Sequence, residues 1–139
     1  MIDLIKARPF HAVLVVIALV LVVGMLTFAG PCVHDDGSKS VCSDAGTALV
    51  IAGAIGAVAA LASLAVGNKV ASGACALIAA CCGAFAAASP GNLFALCMMQ
   101  TMRCWSVMRP FAIACGACLL IIGIIAAVMS FRSKRQSRP

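Results

Sequence analysis

The chain has 139 residues, of which 64% are hydrophobic and 10% charged, with a formal net charge of +6 and a mean hydropathy of +1.15. Soluble domains are about half apolar and about a quarter charged, so this composition excludes a water-soluble fold and leaves no length for a separate soluble catalytic domain.

A hydrocarbon core about 30 Å thick takes roughly 20 consecutive apolar residues as a helix. Four segments reach that length with no Asp, Glu, Lys or Arg inside, at residues 10–29, 46–67, 70–89 and 111–131. Backbone N–H and C=O groups find no water in lipid, so each segment is predicted to be α-helical, and the alternation of an outer-membrane strand is missing. The fold class expected is all-α: a single domain over 1–139, polytopic, with four transmembrane helices in an up-down bundle. Outer loops are expected at 30–45 and 90–110 and a cytoplasmic tail at 132–139.

The first segment follows a basic start, MIDLIKARPF, as the core of a signal peptide would. Its apolar run exceeds the roughly 7–15 residues of such a peptide, and Pro31 makes FAGPC a poor cleavage site, so the helix is expected to be retained. Its Val, Leu and Ile suit a peripheral, lipid-facing place. Loop one, GPCVHDDGSKSVCSDAG, leads into a second helix carrying Ala52, Gly56 and Ala60 four residues apart. Gly67-Asn68-Lys69-Val70 permits only a tight turn, and the third helix carries Ala79, Gly83 and Ala87 at the same spacing. Small residues so placed let helix backbones approach closely, so the second and third helices are expected to be central, packed internally or on a partner subunit. Ser89-Pro90-Gly91-Asn92 ends the third helix. Loop two, SPGNLFALCMMQTMRCWSVMRP, follows, with Trp105 beside Arg103 as an aromatic anchor at headgroup level. Aligning Cys42 with Cys104 also aligns Ile51-Ala52 with Ile113-Ala114, which points to two repeated helix pairs related by an axis along the membrane normal.

With the N-terminus inside, Lys6, Arg8, Lys69, Arg132, Lys134, Arg135 and Arg138 lie on the cytoplasmic side. Only Lys39, Arg103 and Arg109 lie outside, balanced by Asp35, Asp36 and Asp44. This positive-inside bias predicts a multi-pass protein of the cell inner membrane with both termini cytoplasmic, favouring anionic lipid. The tail FRSKRQSRP is read as an anchor for the last helix, and no nucleic-acid partner is expected. His11 is expected at the inner interface. There is no H-E-x-x-H, no phosphate loop, no Glu and no charge inside a span, so neither enzymatic chemistry nor an ion path is indicated.

Nine cysteines divide by depth: Cys32, Cys42, Cys97 and Cys104 in the outer loops, Cys75, Cys81, Cys82, Cys115 and Cys118 in helices. Disulfides persist outside the cytoplasm, so the four loop cysteines are read as disulfide-forming, Cys32 with Cys42 and Cys97 with Cys104 being the simplest connectivity. Each bridge would contribute roughly 2–3 kcal/mol by the chain-entropy argument. Two other chemistries compete. Cys97, Met99, Met102 and Cys104, with His34, form a soft donor set suited to Cu(I). Cys115-Gly-Ala-Cys118 is a C-x-x-C in the outer half of the fourth helix, from which electrons could pass to quinone by thiol–disulfide exchange. In that reading the architecture resembles the bacterial disulfide-generating membrane proteins and their vitamin-K-epoxide-reductase relatives, although the sequence sets no basic residue beside either thiol.

The pieces PCVH…C…AGTAL and LCMMQTMRCWSVMRPFAI resemble a family of small bacterial four-helix inner-membrane proteins known only as a domain of unknown function. The features are a Cys loop leading to a Gly/Ala-rich helix, then Cys97, Met102, Cys104, Arg109 and Pro110 before the last helix. The resemblance implies a bacterial inner membrane and an accessory role beside an ABC-type export permease; it brings no activity. The function expected is a non-enzymatic accessory or scaffold subunit of a transport-type membrane complex, partnered by other membrane subunits or by its own copies. No cofactor is expected, with copper or quinone as the alternative.

Overall fold

A computed structural model describes residues 2–29, 41–93, 101 and 104–136, with side chains from residue 8 onward except at residues 41, 42 and 104. The chain forms helices α1 (Ile2–Thr27), α2 (Val41–Ala65), α3 (Lys69–Ala88) and α4 (Arg109–Gln136), with a kink at Ser89–Leu93 and a wide helical turn at Cys104–Met108. Among the described residues there is no strand. The shortest of the four, α3 with 20 residues, is about 30 Å long at 1.5 Å per residue, the thickness of one hydrocarbon core.

Helix ends depart from the apolar segments. α1 begins at Ile2 and passes through Pro9; α4 runs to Gln136, with Lys134 and Arg135 in its last turn against the negative end of the helix dipole. α2 begins at Val41, inside the stretch expected as loop. Hydropathy marks where a helix meets lipid, and a polar stretch can continue the same helix into water.

Helices consecutive in sequence pack side by side, α4 closes back on α1, and the diagonal pairs scarcely touch. The start of α1, the end of α2, the start of α3 and the end of α4 meet around one cavity. At the other end, the Phe28 and Phe111 rings meet edge to face at 5.1 Å, tying the end of α1 to the start of α4. The bundle therefore runs up and down, with both termini at the same end. No helix is central or peripheral: α1, expected at the periphery, buries Leu14, Ala18, Leu21 and Met25 against its two neighbours.

On α3 sidedness is encoded by size, because lipid is as apolar as the core. α3 buries only Ser72, Gly73, Ala76, Ala79, Ala80, Gly83 and Ala86, while Leu77 and Ile78 point outward. Val16, Leu26, Val58 and Ile121 are each more than half exposed, an arrangement suited to acyl chains.

The closest seam joins α3 to α4. A Cβ on Gly83 would lie 2.7 Å from the Gly116 carbonyl oxygen, and one on Gly116 would lie 2.6 Å from the Gly83 carbonyl oxygen, so the backbones touch. The small-residue stripe of α3 is thus packed internally, against α4. Of the positions aligned as a repeat, Ile51 and Ile113 are both exposed, whereas Ala52 is buried and Ala114 exposed.

The turns follow their residues. Asn68 caps α3, its Oδ1 accepting from the Val70 N–H at 3.1 Å, and Gly67 and Asn68 complete the short reversal. Beyond Ala88, Pro90 takes an extended ψ of 114° and Gly91 a φ of 83°, a region open to glycine because it has no Cβ.

Candidate functional site

Three groups of residues carry chemistry. The first is the loop set. Cys32, His34, Cys97, Met99 and Met102 lie outside the described residues, and of Cys42 and Cys104 only the backbone is described, at the start of α2 and in the turn before α4. Beside them, the Arg109 guanidinium stacks 4.7 Å over the Trp105 ring, so the expected aromatic anchor also holds the cation in the first turn of α4.

The second is the set of helix thiols. Cys75, Cys81, Cys82, Cys115 and Cys118 are all free. Cys115 packs on the core, whereas Cys118 is exposed, so the two sulfur-bearing positions of the C-x-x-C meet different surroundings. Cys81 and Cys82 line a sideways-opening groove between α2 and α3, about 590 Å³ in volume, walled by Ile51, Ile55, Ile78 and Phe85. Among the described residues no three His, Cys, Asp or Glu side chains gather closely enough to hold a metal ion.

The third is a polar cluster at the end of the bundle that holds both termini, and sequence reasoning missed it. His11, expected at the interface, is 4% exposed and lies between two helices. Its Nδ1 is 2.9 Å from Ser63 Oγ on α2, and its Nε2 is 3.5 Å from Ser130 Oγ on α4. Both hydroxyls have a second partner: Ser63 donates to the Ala60 carbonyl at 2.6 Å and Ser130 to the Ala126 carbonyl at 2.9 Å. Ser72 of α3 donates to the Ser63 carbonyl at 2.9 Å, and Lys69 Nζ donates to the Ser133 carbonyl of α4 at 3.2 Å. All four helices are linked through this layer. Among the described residues no buried side-chain polar atom lacks a partner, as an apolar surround requires.

The bonds around His11 constrain its protons. A hydroxyl has one hydrogen, so when both serines donate to their own helices both imidazole nitrogens face oxygen lone pairs. A neutral ring has one N–H, and its other nitrogen is satisfied only if one serine turns its hydrogen from the carbonyl to the ring. Above this layer a cavity of about 160 Å³ opens, with Arg8 and Lys69 on its walls.

The signal was present in the sequence as depth. Ser63 stands four residues before Gly67 and Ser72 four residues after Asn68, so the tight turn sets both at one level. Read together with His11 and Ser130, each near the same end of its helix, the spacing marks a polar layer. Each residue taken alone is an ordinary interfacial one.

A family described as a domain of unknown function, DUF4418, matches residues 14–129, and the chain belongs to that family. Ser63, Lys69 and Ser72 fall within the matched range; Arg8, His11, Ser130 and Ser133 flank it. No match was found among curated proteins or among solved structures.

Proposed function

We propose that this member of the family is a non-enzymatic accessory subunit of a larger membrane complex, seated in a bacterial inner membrane with both termini in the cytoplasm. The observation that carries the reading is the α2–α3 groove. Its walls are apolar, its volume is about 590 Å³, and Ala48 and Ala52 in its lining are spaced one turn apart as helix-docking residues are. Where α3 and α4 meet backbone to backbone, Gly56 on the α2–α3 seam has only Cys82 Cβ near it, 3.5 Å from where a Cβ would stand. That looser seam takes a transmembrane helix of a partner subunit. A transport-type complex is the partner class, because the segments bring lipid-soluble surface and no ionisable path of their own.

A photo-crosslinking residue at Ile55 tests this in native membranes. The expected outcome is a discrete adduct with one membrane protein that is lost in Ala52→Trp and absent when the crosslinker is at Val16 on the outer face of α1. Adducts to lipid only, or monomer alone after extraction in mild detergent, defeat the reading; an adduct at twice the chain mass makes the partner a second copy.

The loop cysteines are part of the same proposal as structural staples, Cys32 with Cys42 and Cys97 with Cys104, supported by the positive-inside charge balance that sets them in an oxidising compartment. Trapping thiols in intact cells is expected to find both pairs fully oxidised. Mixed redox states would instead favour exchange through Cys115 and Cys118 to quinone, and copper-protected reduced thiols would favour a Cu(I) site at Cys97, Met99, Met102 and Cys104 with His34.

A further inference from the structure

The geometry points to a second site, at the end of the bundle that holds the termini: the cavity above His11 binds a phosphate-type oxyanion. At about 160 Å³ it has the room of about five waters at roughly 30 Å³ each, enough for a tetrahedral anion and residual water. Its walls carry two cations on different helices, Arg8 from α1 and Lys69 from α3, and no carboxylate among its described lining residues. Asp44, near the far end of α2, is the one acidic residue whose side chain is described. The Lys69 ammonium is held in place by a neutral acceptor, the Ser133 carbonyl, so its charge is not cancelled there.

Two like charges beside a partly enclosed cavity repel, and an anion between them turns that repulsion into attraction. Among the remaining surroundings, the positive end of the α3 dipole lies at Lys69, opposite the carbonyl end of α2 at Ala65. The Ser72 and Ser130 hydrogens are already donated to the Ser63 and Ala126 carbonyls, so the two cations carry the recognition. An Arg guanidinium meets phosphate oxygens in bidentate fashion and Lys serves as a point charge, so the two cations divide the recognition between them.

Depth leaves two sources for the anion. Arg8 opens the first span and Lys69 opens the third, which sets the cavity at the level of lipid headgroups and within reach of water. A phospholipid headgroup and a free phosphate offer the same chemistry. Anion binding at this end is independent of the accessory role.

The test uses the full chain in a phosphate-free neutral detergent, with phosphatidylglycerol, phosphatidylcholine or inorganic phosphate added, followed by native mass spectrometry and thermal unfolding. Phosphatidylglycerol is expected to be retained over phosphatidylcholine, and Arg8→Gln and Lys69→Gln each to lower that retention about tenfold, the scale of one lost hydrogen bond between charged groups. Arg135→Gln, exposed at the same end outside the cavity, is expected to change it less than about twofold, the remainder of a screened surface charge. Lys69→Arg is expected to restore retention, which separates loss of charge from loss of fold, and Arg8, being exposed, gives a second variant that folds. Stabilisation by phosphatidylglycerol alone identifies a headgroup; equal stabilisation by inorganic phosphate, lost in Lys69→Gln, identifies a soluble anion. No stabilisation by either, or an equal loss in Arg135→Gln, overturns the site.

Discussion

His11 is buried where each neighbour in the lipid-facing sequence is apolar, and its two nitrogens are the reason it can be there. Removing the ring differs from removing its partners. In His11→Phe the two serines keep their bonds to the Ala60 and Ala126 carbonyls, so no polar group is stranded. In the Ser63→Ala, Ser130→Ala double variant the imidazole stays buried without acceptors or donors, which costs about 1–3 kcal/mol in general and nearer the low end among membrane helices. The double variant is therefore expected to unfold at lower sodium dodecyl sulfate fraction in mixed micelles than His11→Phe. The reverse order would show that the ring, and not the satisfaction of its nitrogens, stabilises this layer.

Close approach of backbones decides which helix pairs are strong. At Gly116 a methyl group would meet the Ala87 nitrogen and the Gly83 oxygen, each at 2.6 Å, and backbone atoms cannot step aside as a side chain can. Gly116→Ala is expected to destabilise by about 1–3 kcal/mol, the range for overpacking a filled interface. At Gly56 the nearest atom stands at 3.5 Å, an ordinary contact, so Gly56→Ala is expected to fall within about 0.5 kcal/mol of the parent. Unfolding midpoints of the two variants in mixed micelles check the pair. Equal effects would mean that the α3–α4 seam relaxes freely and does not set the bundle's geometry.

The four helices are held to one another as a ring, with a polar layer at the terminus end and the Phe28–Phe111 contact at the other. Among the described residues, Lys6, Arg8, Lys69, Arg132, Lys134 and Arg135 lie toward the terminus end of the same axis and Arg109 toward the other. Reporters fused at both termini are expected to read one compartment, the cytoplasm, and a reporter inserted after Asn92 the opposite one. A split result between the two termini would contradict the even number of crossings.

Fold class and the number of membrane-length helices were legible in the four apolar segments, since lipid forbids any backbone that does not satisfy itself and about twenty apolar residues suffice for one helix. The chain break at Pro90 and Gly91 and the tight turn at Asn68 were equally legible, because both depend on local conformation. Which helix faces which was not. Ala52, Gly56, Ala60 and Ala79, Gly83, Ala87 look alike as stripes, and only the crossing of α3 with α4 assigns Gly83 to Gly116. The polar layer was hidden for a related reason: His11, Ser63, Ser72 and Ser130 are spread over more than a hundred residues and become one cluster only when four helix ends converge. A bilayer acts on each apolar segment separately, so the crossings follow from the order of residues alone; a site made where four helix ends converge exists only once they are packed.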